Sequence, residues 1–253
     1  MGIEVSNVTV RFGGITALSE VSVSLSPGQI VAVIGANGSG KSTLFNSITG
    51  LVSVASGSIR IDDDEVIRIP PHRRIAGGLA RTFQTPRFDP RITVEKAVLC
   101  GFYPVARSGF VRSLLHTPGS AREERTIRRE CDGILALFKL DKLRSVPMGE
   151  LPMGQVRLVE VARSVANKPK YLLLDEPAAG LTRVEQELLS AEIRNLVARG
   201  VGVLLVEHNF NLVQQLSEHV VVLDRGSILF TGAPAELAGN RAFVDAYLGT
   251  SGH

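Results

Sequence analysis

The chain has 253 residues, 44% hydrophobic and 21% charged, a composition that predicts an ordinary globular protein with one large domain and room for a small subdomain. The net charge of +3 is too small to indicate a nucleic-acid partner by itself, and no apolar run reaches the roughly 18 residues of a membrane-spanning helix. The two cysteines, Cys100 and Cys131, lack the spacing of a metal site, so reduced thiols are expected.

The first elements are predicted to be antiparallel strands, because apolar and polar residues alternate in VSNVTVRFG (5–13) and ALSEVSVSLSPGQ (17–29). The run IVAVIGA (30–36) is continuously apolar, which predicts a buried strand. A helix is expected from Lys41, and GSIRIDD (57–63) resembles another strand.

From about residue 86 to 152 the sequence becomes helical and charged, which predicts an inserted helical subdomain. Strands and helices then alternate in the order YLLLDE, RVEQELLSAEIRNLVARG, VGVLLVEH and NFNLVQQLSE, followed by a hairpin in HVVVLDRGSILFTG with its turn at Arg225 and Gly226. The pattern predicts an α/β fold with an N-terminal antiparallel β subdomain, a parallel-sheet core and the helical insertion.

One loop is predicted to bind phosphate. GANGSGKS fits G-x-x-x-x-G-K-[ST] between a buried strand and a helix. Its residues are Gly35, Ala36, Asn37, Gly38, Ser39, Gly40, Lys41 and Ser42. The glycines let backbone N–H groups point at an anion, to which the helix N-terminus adds partial positive charge. Lys41 would reach the β- and γ-phosphates and Ser42 would bind Mg²⁺, whereas the alternative is a chance glycine-rich turn.

A second motif supplies carboxylates. Asp175 ends the strand YLLLD, where it can lie near the metal, and Glu176 can orient an attacking water. Taken alone, this pair could equally cap the following helix. Beside a phosphate loop, it indicates hydrolysis of ATP or GTP.

Four further stretches resemble motifs of an ABC-transporter ATPase subunit, in the family's order. ARTFQTPRF contains Gln84 at the Q-loop position, and LPMGQ stands where the LSGGQ signature precedes its helix. DEPAAGLT follows as the D-loop does, and LLVEHN has His208 at the switch-histidine position. The chain is therefore identified as a member of that family, with its P-loop NTPase fold, as a single domain over 1–253.

The resemblance implies roles for individual residues. Phe12 would stack on adenine, unless it is a core strand residue, and Thr43 would bond the α-phosphate. Gln84 would touch Mg²⁺ or the lytic water, His208 would contact the γ-phosphate, and Glu176 would be the general base. The signature residues, which would bind the ATP of an opposing subunit, are Leu151, Pro152, Met153, Gly154 and Gln155.

The sequence segments GLARTFQ, LDEPAAGL, VEHN and AYLG (246–249) resemble those of the ATPase subunits of branched-chain amino-acid importers. Such subunits act in pairs around ATP and Mg²⁺, on the cytoplasmic face of the membrane, with transmembrane permease subunits and, indirectly, a periplasmic or extracellular solute-binding protein. The alternatives are an importer of urea or another small polar solute, an exporter, and a regulatory ABC ATPase. No nucleic-acid partner is expected, because the basic runs PPHRRIAGG and AREERTIRR are interpreted as solvated faces.

Four positions depart from the family pattern, among them Leu158, which replaces a frequent arginine early in the signature helix. Pro152 replaces the serine whose hydroxyl would bind the opposing γ-phosphate, and Met153 replaces a glycine. Thr182 stands where the D-loop has aspartate. Pro is tolerated in the first turn of a helix, so the signature helix is expected to form. These departures suggest a heterodimer, although a homodimer is possible, in which this chain lends its partner a weakened signature and borrows a better one.

Overall fold

The structure of the protein, a computed structural model, describes residues 1–105 and 118–239. It comprises two compact units. The first contains Met1–Arg81, Lys170–Glu176 and the described chain from Ile193 onward, and the second contains Thr82–Pro169 and Pro177–Glu192. Residues 106–117 of the predicted helical insertion and the AYLG stretch lie outside the described residues.

The N-terminal strands form an antiparallel sheet in the order β2-β1-β4-β5, as their alternating pattern predicts. Its strands are β1 (Ile3–Phe12), β2 (Ile15–Leu25), β4 (Ser56–Ile61) and β5 (Asp64–Glu65). Val8, Val10 and Val21 are buried on the inner face of this sheet. The pairing of β1 with β2 shifts register at three places, so strict alternation does not hold along the whole of β1.

The remaining strands form a six-stranded sheet in the order β10-β9-β3-β8-β7-β6. They are β3 (Ile30–Ile34), β6 (Leu79–Arg81), β7 (Tyr171–Asp175), β8 (Gly202–Val206), β9 (His219–Asp224) and β10 (Ser227–Gly232). Neighbouring strands are parallel except for the β9–β10 hairpin, which turns at Arg225 and Gly226 as predicted. Every residue of β3, β7 and β8 is buried, as expected of strands inside a parallel sheet. The predicted α/β fold class is confirmed.

The helices are α1 (Lys41–Thr49), α2 (Pro71–Ala76), α3 (Val94–Leu99), α4 (Pro118–Leu137), α5 (Met153–Ala166), α6 (Arg183–Ala198) and α7 (Phe210–Leu216). Short 3-10 turns lie at Cys100–Val105, Asp141–Leu143, Met148–Glu150 and Pro234–Gly239. In the second unit α3 packs against α4 and α5. Cys131 is buried and Cys100 is exposed. Among the described helices, none combines the length and apolarity that crossing a membrane requires.

One residue of the basic run PPHRR does not lie on a solvated face. The side chain of Arg74 is buried, and its Nη1 donates to the carbonyls of Ser47 at 2.8 Å and Ile48 at 2.7 Å. Its Nε donates to the carbonyl of Ile69 at 2.8 Å. Arg74 therefore satisfies carbonyls that the C-terminal end of α1 leaves without intrahelical partners.

Candidate functional site

The carboxyl ends of three neighbouring parallel strands meet at one edge of the six-stranded sheet. β8 lies between β3 and β7, and its last residue, Val206, pairs with both Val33 and Asp175. The strand on the other side of β3 is β9. The connection that leaves β3 leads toward the β6 edge, whereas those that leave β8 and β9 lead toward the β10 edge, so the direction of the connections reverses at β3. A ligand site in an open α/β sheet lies at such a reversal, beyond the carboxyl ends of the strands.

The predicted phosphate loop joins β3 to α1, as the sequence indicated. Gly40 adopts φ 108°, a left-handed conformation, immediately before α1 begins at Lys41. A Cβ at this position would lie 2.7 Å from Leu18 Cδ2 and 2.9 Å from the Ala17 carbonyl oxygen. Glycine is therefore required here both by conformation and by space, and it directs the first N–H groups of α1 toward the loop.

Lys41 is buried inside this loop. Its Nζ donates to the carbonyl of Gly35 at 2.7 Å and to that of Ala36 at 2.9 Å. Burial lowers the pKa of Lys41, while the carboxylates of Glu176 and Asp175 act in the opposite direction. The ammonium group is thus within electrostatic reach of the carboxylates of the second motif.

The loop fits a phosphate ligand on two counts. Within the described residues, the ammonium group of Lys41 donates hydrogen bonds to the neutral carbonyls of Gly35 and Ala36, which an anion could replace. The hydroxyl of Ser39 is buried without a hydrogen-bond partner among the described residues, which is uncommon for a buried polar group.

Asp175 is buried at the end of β7, with its Oδ2 3.3 Å from Nη2 of Arg81. Burial raises the pKa of Asp175, and the neighbouring Arg81 guanidinium opposes this shift. No cluster of three acidic, His or Cys side chains within the described ranges could hold a metal alone. The donor set of Asp175 and Ser42 fits Mg²⁺, which takes one or two carboxylates and completes its shell with waters and substrate phosphates.

Glu176 and His208 are in contact. Oε1 of Glu176 lies 2.7 Å from Nε2 of His208. Glu176 adopts φ 49°, rare for a residue with a Cβ, while its backbone N–H donates to the carbonyl of Val206 at 2.9 Å. The backbone N–H of His208 donates to the Glu207 carboxylate at 3.1 Å. A strained backbone that is supported by its surroundings is typical of functional sites. Glu207 supports the backbone of His208 here, and the sequence motifs did not predict this role.

A comparison with known protein families identifies the family to which this phosphate loop and its neighbouring carboxylates belong. The model of the ABC transporter family matches residues 18–179. The chain belongs to the ABC transporter family. It is an ATP-binding ATPase of that family, as the ordered motifs predicted.

Relatives match the cassette along nearly its whole length. The high-affinity branched-chain amino acid transport ATP-binding protein BraF of Pseudomonas aeruginosa is 37% identical over 248 residues, covering 98% of this chain and 97% of BraF. The corresponding LivG protein of Escherichia coli is 33% identical over 250 residues, covering 98% of this chain and 97% of LivG. A crystal structure of a nucleotide-free ATP-binding cassette from an ABC transporter is 30% identical, with a TM-score of 0.84 and coverage of 98% and 99%.

Phe12, the predicted adenine-stacking residue of the cassette, is not a core residue. It is 50% exposed at the end of β1, next to the exposed Ile15 across the hairpin. Because the side chain is half exposed, the alternative that Phe12 is a buried core residue of the strand is excluded. An aromatic face exposed to solvent at the end of a strand is available to stack on a base.

The Q-loop of the cassette is attached to the signature helix α5 within the second unit. Gln84 is exposed in the loop, and the backbone N–H of the preceding Phe83 donates to Glu160 Oε1 at 2.8 Å. Glu160 is only 2% exposed and lies 3.7 Å from Arg163, whose guanidinium stacks 4.7 Å from the ring centroid of Phe88. The buried carboxylate of Glu160 therefore fixes the backbone of the Q-loop to α5.

The signature helix begins at Met153, with Pro152 as the N-cap at φ −56° and ψ 149°. Pro152 is accordingly accommodated just before the helix, and Met153 is 58% exposed. Gly154 is buried, and a Cβ there would lie 2.7 Å from the carbonyl oxygen of Gly180 in the D-loop. Close packing within the chain therefore requires glycine at position 154. This requirement is separate from any contact that Gly154 makes with the ATP of a partner subunit. Leu151 and Gln155 are half-buried beside it.

Thr182, which replaces the D-loop aspartate, forms a capping box with Glu185. The Thr182 N–H and hydroxyl both lie 2.8 Å from Glu185 Oε2, and the Glu185 N–H donates to Thr182 Oγ1 at 3.3 Å. Thr182 thus caps the start of α6, a position at which aspartate and threonine are both favoured.

Proposed function

We propose that the protein is the ATP-hydrolysing subunit that energises a membrane importer of branched-chain amino acids. The observation that carries this proposal is the 37% identity to BraF over nearly both chains, together with an intact phosphate loop and the paired Glu176 and His208. Identity spread over whole chains favours a shared physiological role more strongly than the motifs alone, since the motifs occur in every member of the family.

The chemistry assigned to the chain is transfer of a phosphoryl group to water. Glu176 accepts the proton of the attacking water while the bond from the γ-phosphorus to ADP breaks, giving ADP and phosphate. His208 contacts the γ-phosphate and Lys41 binds the β- and γ-phosphates. The other ligands are proposed to be Ser42, Asp175 and Gln84 for Mg²⁺, Thr43 for the α-phosphate and Phe12 for adenine. Bound Mg²⁺ would neutralise charge on the phosphate oxygens.

The proposed assembly contains a second ATPase subunit, transmembrane permease subunits and, indirectly, a solute-binding protein, with this chain on the cytoplasmic face of the membrane. Each ATP would lie between the phosphate loop of one ATPase subunit and the signature of the other. ATP binding would then favour the closed pair and hydrolysis would reopen it, because only the closed state offers both halves of the site.

The test of the proposed function is uptake of labelled solutes by the native host. Deletion of the gene should abolish high-affinity uptake of leucine, isoleucine and valine, and the wild-type gene should restore it, whereas Glu176→Gln should not. Uptake of labelled urea should be unchanged. Loss of urea uptake with normal leucine uptake would assign the chain to the alternative solute class.

The asymmetry of the pair is tested at Pro152. A missing hydrogen bond to a charged phosphate costs on the order of 1.5–3 kcal/mol, so the site facing Pro152 should be weakened rather than inactive. Pro152→Ser should raise ATP turnover of the reconstituted complex, with Met153→Ala as a control that adds no hydroxyl. Closed homodimers of the purified chain that hydrolyse ATP at an ordinary rate would contradict the asymmetric heterodimer.

A further inference from the structure

Arg81 is a buried arginine next to the predicted metal ligand. It is the last residue of β6, and its side chain is 8% exposed. Burying a guanidinium is costly unless acceptors surround it, so the partners of Arg81 indicate what this residue does.

The partners come from the two elements that carry the phosphate loop and the second motif. Nη1 donates to Asn46 Oδ1 at 2.6 Å and to Thr49 Oγ1 at 3.3 Å, both on α1. The Thr49 hydroxyl donates its own hydrogen to the Phe45 carbonyl at 2.8 Å, which leaves a lone pair for Arg81. Nη2 donates to Asp175 Oδ2 at 3.3 Å on β7. The guanidinium carbon also lies 5.4 Å from the ring centroid of Phe45.

We propose that Arg81 is a positioning residue that orients the carboxylate of Asp175 for Mg²⁺ and fixes it relative to the helix of the phosphate loop. The rigid fork of a guanidinium suits this task, since one nitrogen is held by α1 while another holds a single oxygen of Asp175. Partners that orient a metal ligand typically change metal affinity by about 10–100-fold when removed.

The inference rests on the proposed assignment of Asp175 as a Mg²⁺ ligand. The same contact also has an opposite interpretation, in which Arg81 competes with the metal for Asp175. The two interpretations predict opposite signs, because a positioning residue raises Mg²⁺ affinity and a competing cation lowers it.

The test measures ATP affinity by titration calorimetry with and without Mg²⁺, in a Glu176→Gln background that stops hydrolysis. Arg81→Met should leave ATP binding in EDTA unchanged and should reduce the affinity gain produced by Mg²⁺ by about 10-fold or more. Arg81→Lys, which retains the charge without the fork, should produce a smaller reduction and serves if the methionine variant does not fold. Arg60→Met, at an exposed arginine on β4, is the matched control and should change neither value.

A second variant separates positioning from charge. Asn46→Ala removes the 2.6 Å acceptor of Arg81 without altering Asp175, so it should weaken Mg²⁺-dependent binding in the same direction. Its effect should be less than additive with Arg81→Met, because both act through one contact network.

The outcomes are distinguishable. An unchanged Mg²⁺ effect in Arg81→Met, with a loss in Asp175→Asn, would mean that Arg81 is structural only. A stronger Mg²⁺ effect in Arg81→Met would mean that Arg81 competes with the metal, and either result overturns the proposal. If Asp175→Asn also leaves the Mg²⁺ effect unchanged, the assignment of Asp175 itself is wrong.

Discussion

The imidazole Nε2 of His208 lies 2.7 Å from Oε1 of Glu176, so the proposed general base and the switch histidine are joined within one chain. The two residues follow adjacent parallel strands, β7 and β8, and the register of those strands sets the contact. The pair therefore links the residue that would accept a proton with the one that would contact the γ-phosphate.

Glu176→Gln should retain ATP binding and lower hydrolysis by roughly 10²–10⁴-fold, because the amide keeps the shape of the side chain but accepts no proton at neutral pH. The measurement is phosphate release in single turnover, paired with retention of labelled ATP on the protein. Glu187→Gln, an exposed carboxylate on α6, provides the matched control and should hydrolyse normally. Near-normal phosphate release by Glu176→Gln would exclude Glu176 as the base.

Arg74→Met should lower the free energy of unfolding by roughly 2–4 kcal/mol, because several buried carbonyls would lose a charged donor. The midpoint of urea denaturation measures the loss. Arg73→Met, at an exposed arginine of the same helix, should change the stability by no more than about 0.5 kcal/mol. Equal effects of the two substitutions would show that the carbonyl contacts of Arg74 contribute little.

Gly154→Ala should destabilise the protein by about 1–3 kcal/mol, because the added Cβ would meet a backbone oxygen of Gly180 at 2.7 Å and the backbone would have to shift. Thermal unfolding measures this, and Met153→Ala, at the exposed neighbouring position, is the control. The variant should also lower ATP turnover, since the signature and the D-loop would both move. Unchanged stability with lost turnover would instead assign Gly154 to phosphate contact alone.

Local patterns predicted the elements of the fold, but they did not predict which charged residues are buried. The phosphate loop, the antiparallel strands and the parallel strands follow from glycine spacing and apolar periodicity, which act over a few residues. Arg74 satisfies carbonyls 26 and 27 residues away, and Arg81 reaches Asp175 across 94 residues. Nothing in the neighbouring sequence marks such partners, so a basic run looks solvated whether or not one of its members is enclosed.

Asp62 and Tyr171 give a pH-dependent contribution to stability. The Tyr171 hydroxyl donates to Asp62 Oδ1 at 2.5 Å, and the ammonium of Lys170 lies 3.0 Å from Oδ2. The hydrogen bond from Tyr171, followed by the bond and charge of Lys170, lowers the pKa of Asp62. A carboxylate whose pKa is lowered by folding adds stability that is present above its unfolded pKa, near 3.9, and is lost as the pH falls through its folded pKa.

Tyr171→Phe should therefore reduce the free energy of unfolding by about 1–2 kcal/mol at pH 7, and the difference from the wild type should shrink as the pH falls below about 4. Urea denaturation at a series of pH values measures both quantities. Tyr103→Phe, which removes the hydroxyl of an exposed tyrosine, should leave the stability unchanged at every pH. A Tyr171→Phe difference that stays constant down to pH 3 would mean that the hydroxyl acts independently of the charge on Asp62.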